Sequence, residues 1–306
     1  MPEEVLISAT NFRMASIDEW ANEFWEVYGP NDIKRSLADV WLMAVEDSSR
    51  VGEALRRQEY ETGLRSLCHS FVWVLSFCNK LAKDPDIPPQ FRSPAFRTVS
   101  DIVWEFYPQS CKTCTERACY CFTRREKLSA EEREKRLAKA RQEEVRPFAL
   151  DDWMGMLGHI YDMPNSTKSL EEVGFHYLEE IGEVARATRR LDEYPPPTGR
   201  RIDAELRARQ RNLVEEIADS ISWTSAVLRR MANIAANFGF LFRRPARRTA
   251  GSHSGLEGRL RLPTLLWTEY KGEELGHIAC ATCARRPCGC GVSESALGLR
   301  EATPGE

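Results

Sequence analysis

The chain has 306 residues, with 43 Lys and Arg against 46 Asp and Glu and a formal net charge of −3. That length suffices for two ordinary domains, and the near balance of charge leaves no basic field to draw in nucleic acid. The pairs Arg243-Arg244 and Arg247-Arg248 read as loop punctuation, no apolar run approaches the roughly 20 residues that cross a bilayer, and no basic-then-apolar leader opens the chain. A soluble cytoplasmic protein without membrane contact is expected, with nucleic acid disfavoured as a partner.

The first element, Ile17-Asp18-Glu19-Trp20, recurs as Leu150-Asp151-Asp152-Trp153. From there Trp20 to Arg57 runs without a gap against Trp153 to Arg190, at a constant offset of 133. Tyr28 falls on Tyr161, Ser36-Leu37 on Ser169-Leu170, Val40 on Val173 and Glu46 on Glu179. Further on, Ser70 and Trp73 match Ser220 and Trp223, and Trp104 and Tyr107 match Trp267 and Tyr270. A repeat of this length predicts two copies of one unit, residues 15–121 and 148–290. Trp20 and Trp153 fit staples of the helix starts to the core better than platforms for a base.

In the first copy the short connection from Gln58 to Gly63 predicts a tight helical hairpin. Cys68 and Cys78 flank the apolar run Phe71 to Phe77 and read as buried core thiols. Val99 to Tyr107 and Leu262 to Tyr270 read as short extended segments. Residues 122–147 are dense in mixed charge and predict a solvated linker helix. In the second copy Leu170, Val173, Tyr177, Ile181 and Val184, then Val214, Ile217, Ile221, Leu228 and Met231, follow three- and four-residue steps, which predicts two long amphipathic helices. Tyr194-Pro195-Pro196-Pro197-Thr198-Gly199 must break the helix between them. The tail, 291–306, is expected to be disordered. The expected fold is all-α: tandem helical bundles, each with a small cysteine knuckle.

Eight of the ten cysteines form two clusters of identical spacing, C-x2-C-x4-C-x-C: Cys111, Cys114, Cys119, Cys121 and Cys280, Cys283, Cys288, Cys290. Four thiols within eleven residues of a charged, helix-patterned chain favour metal thiolates over disulfides. A closed tetrahedral Zn²⁺ shell is the expected occupant, about two ions per chain. An iron–sulfur cluster and a redox disulfide remain weaker alternatives. Both copies keep all their cysteines, which points to a structural metal.

The acids differ between the copies. Glu179, Glu180 and Glu183 lie one turn apart on one helix of the second copy, and Glu215, Glu216 and Asp219 on the next. Antiparallel pairing brings the two sets face to face. Like charges about 4 Å apart repel by roughly 4 kcal/mol at an effective dielectric of 20, so a convergent cluster calls for a divalent cation, and oxygen-only ligands suit magnesium or manganese. A lone Glu-Glu-x-x-Glu is commonly a solvated helix face. Here the pattern occurs on both helices of one hairpin and is lost from the other copy, where Glu183 falls on Arg50, Glu216 on Ser66 and Asp219 on His69.

Glu179-Glu180-x-x-Glu183 followed by Glu216-x-x-Asp219 resembles the signature of the MazG-like, all-α nucleoside triphosphate pyrophosphohydrolases. The resemblance spans Leu170 to Asn237 and, more faintly, the first copy. It implies an oligomeric, magnesium-dependent enzyme that cleaves a nucleoside triphosphate to monophosphate and pyrophosphate. Glu180, Glu183, Glu216 and Asp219 would ligate the metal, and Glu179 would add a ligand or orient water. Two departures are the longer insert between the acidic motifs and the cysteine knuckles outside the signature.

Arg230, Asn233 and Asn237 continue the face of Asp219 and could reach phosphate or sugar oxygens, although Arg230 suits a surface charge equally well. His176, one turn before Glu180, could border the base, or could be an ordinary half-buried helix histidine. The apolar pattern that survives in the degenerate first copy predicts an intrachain pseudo-dimer, with a homodimer as a further possibility. The competing class is a non-catalytic nucleotide-sensing or partner-binding protein built from the same bundles and knuckles. A zinc-knuckle nucleic-acid binder fits less well, because no run of basic and aromatic residues surrounds the cysteines.

Overall fold

In a computed structural model the chain is described at residues 7–94, 96–121, 123, 128–195, 204–238, 261–271 and 277–290, with the side chains of 233 and 235–238 outside that set. Among the described residues the regular structure is helical, apart from three isolated β-bridges. Ser16, Ser36 and Ser169 start α1 (Ile17–Asp32), α2 (Leu37–Arg57) and α8 (Leu170–Asp192) in the same way. Each serine hydroxyl accepts the backbone N–H three residues on, and the acid there, Glu19, Asp39 or Glu172, accepts the serine N–H in return. Two otherwise orphaned donors are satisfied at each start.

Helix α2 stops where Gln58 takes a left-handed conformation, φ 58°. The N–H groups of Gln58 and Glu59 close back on the carbonyls of Leu55 and Ala54, so α3 (Tyr60–Lys83) begins almost at once and doubles back along α2. Helices α8 and α9 (Ala204–Phe238) form the second antiparallel hairpin, as the periodicity predicts. Cys68 and Cys78 are buried, as are Trp20 and Trp153.

The segments read as extended are helices: α4 (Val99–Phe106) and α10 (Leu262–Tyr270). Their β-branched and aromatic residues fit a pleated surface only where a partner strand exists. Here Thr98 caps α4 by accepting the N–H of Asp101, Pro263 sits in the first turn of α10, and both helices bury their apolar residues against helices. The linker contains α5 (Ala130–Glu143), which packs one side on α4, buries Leu137 and holds Arg141 where it donates to the carbonyl of Glu105 at 2.6 Å. Residues 122 and 124–127, and the tail 291–306, lie outside the described residues. No described helix is long and apolar enough to cross a membrane.

The two hairpins meet through α2 and α8, which cross antiparallel. Trp41 Nε1 donates to the carbonyl of Ile181 at 3.0 Å, and Ser48, Ser70 and Tyr177 form a buried hydroxyl cluster at 2.6 to 2.9 Å. Gly174 lets the helices approach, since a Cβ there would lie 2.4 Å from Leu55 Cδ1. One continuous core results, running from Trp20 and Phe24 through Trp41 and Tyr177 to Ile217 and Met231. Helix α1 packs on α3, and α6 (Leu150–Ile160), which leads into α7 (Asp162–Ser166), packs on α9.

The C-terminal elements of each half reach across. Helix α4 packs on α9, and α10 packs on α3. The N–H of Cys119 donates to the carbonyl of Ile160 at 2.7 Å, and the N–H of Cys288 donates to Val27 at 2.7 Å. Val27 and Ile160 stand 133 positions apart, the offset of the repeat. An antiparallel bridge pairs Ser16 with Ala149, again 133 apart, so a residue meets its own counterpart. That self-pairing is what a two-fold relation requires at its axis.

Candidate metal site

On α8 and α9 the facing carboxylates of Glu180, Glu216 and Asp219 bring oxygens within 4.8 Å of one another. They border a cavity of about 450 Å³ that Glu183, Glu215, Asn212 and Trp223 also line. The antiparallel register sets this geometry: positions three apart on α9 face positions three apart on α8. Asp219 is 5% exposed, and Glu180 Oε2 is buried with no hydrogen-bond partner. Asn212, one turn before Glu216, donates to Glu216 Oε1 at 2.7 Å and orients it.

Five carboxylates and the Lys112 ammonium line the cavity. Burial pushes Glu180 up to about 8, with Asp219 adding to the shift. Burial also raises Glu216 to about 7 against the opposing bond from Asn212, and raises Asp219 in spite of Lys112. Burial alone would lower the Lys112 ammonium, but Asp219 and Glu215 outweigh it and hold the lysine charged. Two causes combine: burial drives the three carboxylates towards protonation, and the surplus of negative charge adds to that shift while it stabilises the lysine cation. A buried acceptor without a donor and a surplus of carboxylate oxygens both fit a hard divalent cation.

The side of the site facing α8 and α9 comes from elsewhere in the chain. Tyr107, just past α4, donates its hydroxyl to Asp219. Lys112 donates to Glu215 Oε1 at 2.8 Å and to Asp219 Oδ2. Tyr161 packs edge-on against Tyr107, with ring centroids 6.0 Å apart, and its hydroxyl lies 3.7 Å from Cys111 Sγ. Sequence reasoning missed Tyr107, Lys112, Tyr161 and Asn212 as site residues. The only signal for the lysine is its place inside the first cysteine cluster.

Of the residues singled out in the sequence, Glu180, Glu183, Glu216 and Asp219 line the cavity together. Glu183 also bonds Arg186 and stands beside the trio. Glu179 does not join them. It is exposed, one step round the helix, and accepts from or shares a proton with His176 Nδ1 at 3.3 Å. His176 stacks on Trp223, with centroids 4.8 Å apart, and so borders the cavity wall from outside. Arg230 turns away to donate to the carbonyl of Lys168 at 2.7 Å, and its Nε is buried without a partner. Asn233 and Asn237 have side chains outside the described residues.

The matching positions of the first hairpin are closed by polar pairs. Arg50, opposite Glu183 in the repeat, binds Glu46 and Asp47 at 2.5 and 2.7 Å. His69 and Arg65, opposite Asp219 and Glu215, bind Glu269 at 3.0 and 3.3 Å.

Each cysteine cluster brings its four sulfurs within 4.8 Å, and no cysteine is in a disulfide. Sγ–Sγ separations are 3.7 Å for Cys111–Cys121 and Cys280–Cys290, 3.4 Å for Cys280–Cys288 and 3.9 Å for Cys283–Cys288. A Zn–S bond of about 2.3 Å gives a tetrahedral edge of about 3.8 Å, so both clusters can hold zinc. The backbones agree: Thr115 and Ala284 are both left-handed, φ 60° and 54°, and their N–H groups bond Cys111 and Cys280 carbonyls at 2.9 and 2.8 Å. Backbone N–H groups of Thr113, Gly289 and Cys290 point at sulfurs, the donors a thiolate needs. No family model, curated protein or solved structure matches the chain.

Proposed function

We propose that the protein is a metal-dependent nucleoside triphosphate pyrophosphohydrolase with its active site on α8 and α9. The observation that carries this reading is the convergence of Glu180, Glu216 and Asp219 around an unpartnered buried carboxylate oxygen. These three residues would hold the divalent cation, magnesium or manganese, with Glu183 beside them. Such an ion supplies Lewis-acid polarisation of phosphate oxygens. Glu183, outside the trio and held by Arg186, is the carboxylate left to take the proton of the attacking water. Asn212 keeps Glu216 turned inwards, and Trp223 closes the apolar side of the cavity where a base can lie. The first hairpin buries the back of α8 and supplies no acids, the role of a pseudo-subunit. Both zinc knuckles are structural in this reading.

Release of pyrophosphate from a panel of ribo- and deoxyribonucleoside triphosphates, with magnesium or manganese, tests the proposal. A second reading, nucleotide sensing without turnover, is favoured by one observation: the Lys112 ammonium already neutralises part of the acid cluster. Tight nucleotide binding with no product would select it.

A further inference from the structure

The first cysteine knuckle does more than brace the fold. Lys112 lies between its first two cysteines, yet its ammonium ends in the acid cluster of the other hairpin, bonded to Glu215 at 2.8 Å and to Asp219. The knuckle is held there by three independent contacts. Cys119 N–H donates to Ile160, Tyr161 OH reaches Cys111 Sγ, and Tyr107, which leads into the knuckle, bonds Asp219.

The repeat supplies an internal control. The second knuckle docks on α1 of the first half with the corresponding bond, Cys288 N–H to Val27, and with Tyr28 OH beside the Ala281 N–H at 3.4 Å. Two of the three docking contacts therefore recur in the other half. The lysine does not: position 112 corresponds to Ala281, at the offset of 169 that relates Cys111 to Cys280. The knuckle that reaches the acids carries the lysine, and the knuckle of the other half, whose acid positions are replaced by Arg50, Ser66 and His69 in the repeat, carries Ala281 instead. A lysine needed only for folding or docking would be expected in both. One that serves the ligand of an acid-lined site is lost along with those acids.

Resting on the proposed function, we infer that Lys112 is a substrate-binding residue for a polyphosphate, delivered to the active site by the metal knuckle of the opposite half. In the free protein it is the counter-charge of Asp219 and Glu215. When a divalent cation takes over that neutralisation, the flexible lysine stem lets the ammonium turn to a phosphate oxygen, where a point charge with three donors is suited. The first thiolate metal is then a positioning element for the site, whereas the second has no such role.

Pyrophosphate is the base-independent probe. Its binding with magnesium is measured calorimetrically on the full chain, alongside zinc content and melting temperature. Lys112→Met should weaken pyrophosphate about tenfold to a hundredfold, the scale of a lost hydrogen bond to a charged group, and should leave two zinc ions in place. Magnesium alone should bind as tightly or tighter, because a competing cation is gone. Lys112→Arg, which keeps charge and reach, should restore most of the affinity and serves as the working variant if the methionine protein does not fold. Cys114→Ser should lose one zinc and weaken pyrophosphate, while Cys283→Ser should lose the other zinc with little change.

Unaltered pyrophosphate affinity in Lys112→Met, where the wild type binds it, overturns the inference and leaves the enzymatic reading standing. The same affinity in Cys114→Ser after zinc loss overturns the positioning role of the knuckle. A wild type that binds neither pyrophosphate nor any nucleoside triphosphate removes both the inference and the functional reading beneath it.

Discussion

The N–H of Cys119 donates to the carbonyl of Ile160 at 2.7 Å, which seats the first knuckle on the helix that opens the second half. A C-terminal half made alone loses that knuckle, Tyr107 and Lys112, and bares the faces of α8 and α9 that α2 and α4 cover. Residues 148–306 expressed alone should therefore be poorly soluble or self-associated, and should show no pyrophosphate release. A monomeric, cooperatively melting, fully active fragment would show that the first half is dispensable.

Glu183→Gln and Asp219→Asn keep shape while removing charge from the cavity. Each should cut pyrophosphate release at least a hundredfold with helical circular dichroism unchanged, because the proposed chemistry needs oxygen ligands and a proton acceptor. Glu179→Gln should change the rate less than threefold, since Glu179 pairs with His176 away from the trio. Wild-type rates in both cavity variants would refute the site.

Glu180 and Glu216 are raised to about 8 and about 7, above the roughly 4.3 of a glutamate in an unfolded chain. Between those values the folded protein holds protons that the unfolded chain has released. Their contribution to stability is thus complete below about pH 4 and is lost as pH rises to about 8. In magnesium-free buffer the melting temperature should fall between pH 5 and pH 8.5, and magnesium should restore most of the loss at the upper end, with little effect near pH 5. A melting temperature that ignores magnesium at pH 8.5 would argue against a cation at these carboxylates.

Elemental analysis should find about two zinc ions per chain. Cys283→Ser should release one, and the melting temperature should drop by several degrees, because metal binding free energy is folding free energy. Iron with a visible absorption band would overturn the assignment.

Trp41 is 2% exposed on α2 and reaches across to the carbonyl of Ile181 on α8. Trp41→Ala should cost about 3–5 kcal/mol by chemical denaturation, through cavity formation and loss of the bond between hairpins. Loss of less than about 1 kcal/mol would mean that the contact between α2 and α8 contributes little.

Helical spacing made α8 and α9 legible in the sequence, and the paired acidic motifs made Glu180, Glu216 and Asp219 legible as a facing set. Two kinds of feature were not. The residues of α4 and α10 carry strand propensity, and docking on α9 and α3 together with the Thr98 cap and Pro263 favours the helix. Lys112 and Tyr107 enter the site from segments that are remote in sequence from both acidic motifs, and Tyr161 from the helix pair before α8, so no local period can report these contacts. Glu179 was placed by adjacency in the motif, but one residue along a helix is a turn of about 100°, enough to put it in solvent.

The crossing of α4 and the first knuckle onto the second half also orders events at the ribosome. Val99, Ile102, Val103 and Phe106 emerge before α9 exists, and the four thiols of residues 111–121 emerge before Ile160. At about 5–20 residues per second, synthesis from Cys121 to Met231 takes on the order of ten seconds. Over that interval the nascent N-terminal half is an unfinished molecule with reactive sulfur on display. Zinc taken up by the first cluster at that stage would shelter those thiols until Ile160 arrives to seat the knuckle.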